Sequence, residues 1–202
     1  MDAQQHGFRL VEGYRVVLAS NSPRRKELLG GLGIDFEVRT IKGIDESYPH
    51  DLPVLEIAEY ISRKKAQAYR AEMAPNELII TADTVVILDY EVLGKPKDNT
   101  DACRMLSELS GKTHKVVTGV TIVTTNATRS FSTVTDVEFA PLSDQDIHYY
   151  VEKYQPLDKA GAYGIQEWIG CMGVRHINGS FYNVMGLPLH RLYNELDTML
   201  KG

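Results

Sequence analysis

Val16-Val17-Leu18-Ala19-Ser20-Asn21-Ser22-Pro23-Arg24-Arg25-Lys26 changes character twice along its length. Its apolar head, Val16 to Ala19, is the short continuous run of a buried strand. Ser22 is a helix-capping type, Pro23 suits a first helical position, and Leu28, Leu29 and Leu32 line one side of the next stretch. The segment reads as strand, tight turn and helix start. Its charge runs against ordinary helix electrostatics. First turns favour Asp and Glu, yet this one carries Arg24, Arg25 and Lys26, each opposing the helix dipole by roughly 0.3–1 kcal/mol. An anion on the free backbone N–H groups, clamped by two guanidiniums, removes the conflict and makes Ser20 to Arg25 a candidate phosphate site. A solvated basic helix end accounts for the same residues without a ligand.

Elements alternate outward from this point. Ile34 to Arg39 predicts a short strand and Val54 to Arg70 a long amphipathic helix. Leu78-Ile79-Ile80 predicts a strand ending at Thr81-Ala82-Asp83-Thr84, with a bend before Val85. Glu91 to Pro96 suggests a turn and an extended arm, and Asp98 to Leu109 a helix closed by Gly111. His114 to Thr125 and Ser130 to Phe139 are rich in β-branched residues and predict a hairpin across Asn126-Ala127-Thr128-Arg129. Ser143 to Tyr154 predicts a capped helix, Val174 to Val184 a hairpin turning at Asn178-Gly179, and Leu187 to Leu200 a last helix. Strands, helices and a long central hairpin together imply an α/β (mixed α+β) domain. Gly111 and Pro141 are the candidate points for a linker between lobes, without a composition shift to mark either.

The 202 residues suit one domain, with room for two lobes. A formal charge of -5 argues against a dedicated nucleic-acid binder, whose affinity rests on many phosphate-neutralising cations. Local basic clusters in an acidic chain suggest a small anionic ligand instead. Cys103 and Cys171 lie far apart, with neither disulfide-framework nor metal spacing, and fit a reducing cytosol. Residues 1–13 are polar, lack the apolar stretch of a signal peptide, and read as an extension before a domain over 14–202. No apolar run approaches the ~18 residues of a membrane span.

Asp83, at the expected end of an apolar strand, is a candidate general base or metal ligand, since ligands of α/β sheets sit at strand carboxyl ends. A turn or cap Asp is the structural alternative. Asp45 and Glu46 are ordinary solvated loop acids unless they converge on Asp83; three hard oxygen ligands would then suit Mg²⁺ or Mn²⁺. Lys65 lies in the helical run Arg63-Lys64-Lys65. Lys95 is presented by Gly94-Lys95-Pro96, where Gly94 permits an unusual φ and Pro96 favours an extended backbone. Gly161-Ala162-Tyr163-Gly164-Ile165-Gln166 allows close backbone approach to a ligand, or simply a tight core turn. The histidines show no zinc spacing, and neither a Gly-x-Ser-x-Gly nucleophile nor a Gly-x-x-x-x-Gly-Lys phosphate loop is present.

Taken in order, these pieces resemble the Maf family of nucleoside triphosphate pyrophosphatases. The resemblance rests on Ser20-x-Ser22-Pro23-Arg24-Arg25, Gly43-Ile44-Asp45-Glu46, Lys65-Ala66, Ala82-Asp83-Thr84, Gly94-Lys95-Pro96, Leu109 to His114 and Asp158 to Gln166. Ile177-Asn178-Gly179-Ser180 and Gly186-Leu187-Pro188 extend it to about residue 196. It implies an elongated mixed sheet flanked by helices, two lobes with a central cleft, in the ITPase-like manner. It also implies cytoplasmic, metal-assisted hydrolysis of a nucleoside triphosphate between the α and β phosphates, clearing noncanonical or excess nucleotides.

By the same resemblance Asp83 matches the catalytic proton acceptor. Ser20, Arg24, Arg25, Glu46, Lys65 and Lys95 match the phosphate- and metal-handling set, with Ser22 beside them. Glu46 and Asp83 would hold Mg²⁺ or Mn²⁺. Gly164-Ile165-Gln166 and Ala82-Asp83-Thr84 resemble the branch acting on dTTP and UTP, in which positions matching Arg24, Thr84 and Gln166 are linked to specificity. Gln166 can pair with N3–H and O4 of uracil or thymine, although a freely rotating amide also accepts cytosine. Lys64 stands where some relatives carry an acidic residue. The alternatives are a pyrophosphatase for another modified nucleotide, such as 7-methyl-GTP, or a nucleotide-binding division regulator without turnover. A homodimer is the expected assembly, with no nucleic-acid or membrane partner.

Overall fold

The computed structural model describes residues 10–201, so residues 1–9 of the expected extension lie outside the described residues. Seven strands form one sheet in the order β2-β1-β3-β5-β6-β7, with β4 paired to β3. The strands are β1 (Arg15–Leu18), β2 (Phe36–Val38), β3 (Glu77–Leu88), β4 (Glu91–Leu93), β5 (Thr113–Val123), β6 (Thr128–Phe139) and β7 (Val174–Asn178). The helices are α1 (Pro23–Gly31), α2 (Ile57–Arg70), α3 (Asn99–Leu109), α4 (Asp144–Tyr154), α5 (Trp168–Gly173), α6 (Phe181–Met185) and α7 (Leu189–Lys201). The sheet is mixed: β1 runs parallel to β2 and β3, while β4 is antiparallel to β3 and β7 to β6. No described helix is long and apolar enough to cross a membrane.

The chain divides into two compact units. One holds the described residues up to Asp83, Thr118–Thr133 and the stretch from Gly186; the other holds Thr84–Val117 and Val134–Met185. Gly111 and Pro141, the expected linker points, both fall inside the second unit. The divisions fall inside β3, β5 and β6, and at Met185–Gly186.

In the first unit β1 and β3 are matched from Arg15↔Glu77 to Leu18↔Ile80. Glu77, almost wholly buried, takes Arg39 at 2.7 Å and Arg15 at 2.7 Å, a paired charge at the start of the ladder. The Arg39 hydrogen bond holds its carboxyl below the usual carboxylate range. Helix α2 lays Ala66 and Tyr69 onto Val17, Ile79 and Val123, with Ile44 and Met73 at the margin. Gly119 of β5 lets the helix backbone itself touch the sheet: a Cβ there would stand 2.2 Å from Glu59 N and 2.3 Å from the Ala58 carbonyl carbon. Thr81, a polar residue in the sheet, donates to Ser62 O at 2.7 Å, and Ser62 Oγ meets Thr121 Oγ1 at 2.8 Å.

The second unit opens with the rest of β3, folded onto β4 around a turn in which Asp89 has φ 55°. Helix α3 is capped by Asp98 and packs on α4. Helix α4 begins at the expected Ser143 cap, which also forms a reciprocal capping box with Asp146. His114, Phe139 and Tyr163 form an edge-to-face trio with centroids 4.9–5.4 Å apart.

Two expectations fail. β3 does not end or bend near Thr81: it is one strand of 12 residues with Asp83 in its interior. Its neighbour β1 stops opposite Ile80, so the strand end that opens a site belongs to β1. The hairpin expected over 174–184 is half absent. After Asn178-Gly179, Ser180 Oγ accepts the Asn183 N–H at 3.3 Å and starts α6 instead of a strand.

Candidate active site

In the first unit the site grows from the carboxyl end of β1. Ala19 N–H makes a last bond to Ile80 O at 2.9 Å, and the chain then leaves the sheet. Ser20 is buried, and its Oγ accepts the Ser22 N–H at 3.2 Å, which turns the chain. Ser22 Oγ in turn accepts the Arg25 N–H at 3.4 Å, capping α1 with Pro23 at its start and no acid in its first turn. The basic helix start therefore exists as the sequence implies.

Arg25 folds back from that helix. It donates Nε to Gly186 O at 2.8 Å, and Nη1 to Ala82 O at 2.9 Å and Ser20 Oγ at 3.4 Å. Its guanidinium thus grips the backbone one residue before Asp83. Burial lowers its pKa from the ordinary value, partly offset by the Asp83 charge and reinforced by Arg24. It stays a cation, because guanidinium does not titrate in proteins.

Helix α2 places Lys64 and Lys65 on successive positions, about 100° apart. Lys65 Nζ stands 2.8 Å from Asp83 Oδ1 and 3.1 Å from Glu46 Oε1. Lys64 Nζ instead reaches Asp45 Oδ2 at 2.8 Å and Ser47 O at 2.9 Å. Asp45 also accepts from Ser47 N and Oγ, and Lys64 with Ser47 holds its carboxyl far below the usual range. Asp45 is thereby taken up in its own loop, and only Glu46 of the acidic pair converges on Asp83. Tyr69 fixes the approach to that loop by donating to Arg39 O at 3.1 Å and accepting the Ile41 N–H at 2.8 Å.

Among the described residues, no three His, Cys, Asp or Glu side chains are grouped to hold a metal. The Lys65 ammonium, however, marks one position where a cation contacts both Glu46 and Asp83. Two carboxylates suit Mg²⁺, which keeps several waters and completes its shell with phosphate oxygens. The donor set fits a hard divalent cation.

Ser20, Ser22, Arg24, Arg25, Glu46, Lys65 and Asp83 all belong to the first unit. Thr84, Lys95 and Gln166 belong to the second. Thr84 is half-buried directly after Asp83, whereas Lys95 and Gln166 are exposed. Gly94 O accepts the Gly161 N–H at 3.0 Å, tying the Lys95 turn to the glycine-rich segment. Gly161 has φ 66°, and Val86 fills the space where its Cβ would project. Sequence reasoning missed the Ala82 and Gly186 carbonyls, which as backbone groups leave no signature. It also missed Glu167, although Lys159 and Glu167 bracket the glycine-rich run with opposite charges.

A family model described as Maf-like protein matches residues 15–199. The chain belongs to the Maf family. This Maf chain is 61% identical over 189 residues to the dTTP/UTP pyrophosphatase of Bacteroides thetaiotaomicron, covering 94% of this chain and 98% of that protein. It is 56% identical over 188 residues to the dTTP/UTP pyrophosphatase of Porphyromonas gingivalis, covering 92% and 94%. Among solved structures, the Staphylococcus aureus Ham1 protein superimposes with a TM-score of 0.53 over 92% of this chain and 99% of that one. At 16% identity that likeness speaks for the fold alone.

Proposed function

We propose that this Maf chain is a nucleotide pyrophosphatase that hydrolyses dTTP and UTP to the nucleoside monophosphate and pyrophosphate. The observation that carries the proposal is the convergence of Lys65, Glu46 and Asp83 beside the basic start of α1, in a chain more than half identical to dTTP/UTP pyrophosphatases.

Water attacks the α-phosphorus, the bond to the α–β bridging oxygen breaks, and pyrophosphate leaves with that oxygen. Asp83 accepts the proton of the attacking water. Arg24, Arg25, Lys65 and Lys95 neutralise the triphosphate and the departing pyrophosphate. Ser20 and Ser22 line the turn that receives phosphate oxygens at the helix start. A polyanion competes with both the Glu46 and Asp83 carboxylates for Lys65; once Nζ turns to it, Asp83 is released to act as base. Glu46 and Asp83 would hold a divalent cation, Mg²⁺ or Mn²⁺, which supplies Lewis-acid polarisation of phosphate oxygens. Gln166 pairs with the N3–H and O4 edge of the pyrimidine, helped by Arg24 and Thr84.

On this reading the stretch from residue 14 onward works as one catalytic domain, as a cytoplasmic homodimer acting on noncanonical or excess nucleotides. It needs neither nucleic acid nor membrane. Pyrophosphate release from a panel of nucleoside triphosphates with Mg²⁺ or Mn²⁺, and EDTA as control, tests it. Metal-dependent turnover of dTTP and UTP, with little on CTP, GTP or 7-methyl-GTP, is the expected result. Turnover of another base overturns the Gln166 assignment, and binding without turnover overturns the enzyme.

A further inference from the structure

Gln166 is exposed, and a mobile amide reads uracil and cytosine equally, so something must hold it. It sits in a tight turn closed by the Glu167 N–H donating to Gly164 O at 3.0 Å, with its neighbour Ile165 buried as an anchor. Both ends of that turn meet at one phenol. The fully buried Tyr150 accepts the Gly164 N–H at 3.0 Å and donates its hydroxyl to Glu167 Oε2. Burial, then the Glu167 hydrogen bond, raises the Tyr150 pKa, so the phenol remains a donor. The other Glu167 oxygen takes the Lys159 ammonium at 3.2 Å; Lys159 is buried and also meets Asp158 at 2.8 Å. Glu167 immediately precedes α5 but makes no capping bond to it, so its carboxylate is engaged by Tyr150 and Lys159 instead. Gly164 leaves room for it: a Cβ there would lie 2.8 Å from the Glu167 carboxyl carbon and would push the carboxylate aside.

We infer that Tyr150, Glu167 and Lys159 are positioning residues for base selection: they clamp the turn from Gly164 to Glu167 and so fix how Gln166 meets the pyrimidine. The inference rests on the role proposed for Gln166 in base recognition. Two-point hydrogen bonding to a base edge is geometrically demanding, and a loosened turn loses it without disturbing the phosphate chemistry.

The test is kcat and KM for dTTP, UTP and CTP, with thermal melts, on Gln166→Ala, Tyr150→Phe, Glu167→Ala and Glu167→Gln. Tyr150→Phe and Glu167→Ala should lower the preference for dTTP over CTP by about tenfold, mainly through KM, with kcat on dTTP kept within about threefold. Glu167→Gln, whose side-chain carbonyl still accepts from Tyr150, should keep most of the preference. Combining Tyr150→Phe with Gln166→Ala should add nothing to Gln166→Ala alone. If folded Tyr150→Phe and Glu167→Ala discriminate like the wild type while Gln166→Ala does not, the positioning role is wrong. If Gln166→Ala itself discriminates normally, the reading of Gln166 is wrong, and this inference falls with it.

Discussion

Lys65 Nζ and Asp83 Oδ1 stand 2.8 Å apart, with side chains 14% and 15% exposed. A helix residue and a strand residue are thereby joined by a charge-assisted bond largely withdrawn from solvent. Asp83→Asn keeps the shape but removes the proposed proton acceptor. The variant should bind nucleotide, measured by calorimetry, while pyrophosphate release falls about 10²–10⁴-fold. Full turnover would remove Asp83 from the chemistry.

Arg25 spends donors on the Gly186 and Ala82 carbonyls and on Ser20 Oγ. Arg25→Lys keeps the charge but loses the fork that spans these acceptors. It should lower unfolding stability in urea by about 1–3 kcal/mol and raise KM. An unchanged midpoint would mean the two carbonyls find other donors.

His114 is buried, and its Nε2 faces the Tyr163 hydroxyl at 2.7 Å, while Nδ1 has no partner among the described residues. Burial pushes its pKa down to about 4. An unfolded imidazole titrates near 6.5, so between these values the unfolded chain binds a proton that the folded one refuses. Stability therefore falls as pH drops from about 6.5 to 4, by on the order of 3 kcal/mol. Urea midpoints at pH 7.5 and 5 should differ less for His114→Phe than for the wild type. Parallel losses would show that the acid sensitivity lies elsewhere.

Gly119→Ala would push a methyl group into the backbone of α2 at Ala58 and Glu59. Neither neighbour is a flexible side chain that can swing away. A loss of about 3 kcal/mol or more is expected in thermal or urea unfolding, and a wild-type midpoint would contradict the contact.

Strand β1, its turn and helix α1 were legible in the sequence because apolar run, serine cap, proline and leucine stripe all agree there. β3 was misjudged because Thr81, Asp83 and Thr84 break the apolar run. The strand tolerates Thr81 through its bond to Ser62 O, a partner some twenty residues upstream that no local window reveals. Asn178-Gly179 spoke for a hairpin, but the Ser180 cap on Asn183 was the stronger local instruction. Asp45 and Glu46 looked equivalent, and only the facing of Lys64 and Lys65 on α2 separates them.

The bridging of Glu46 and Asp83 by Lys65 also bears on which compounds this protein will bind. Before any ligand arrives, that ammonium is already satisfied by two anions. An uncharged pyrimidine nucleoside gives it no reason to leave, whereas a di- or triphosphate mimic competes directly with the carboxylates. Inhibitors aimed at the first unit should therefore be sought among polyanions, and their affinity should weaken steeply with added salt.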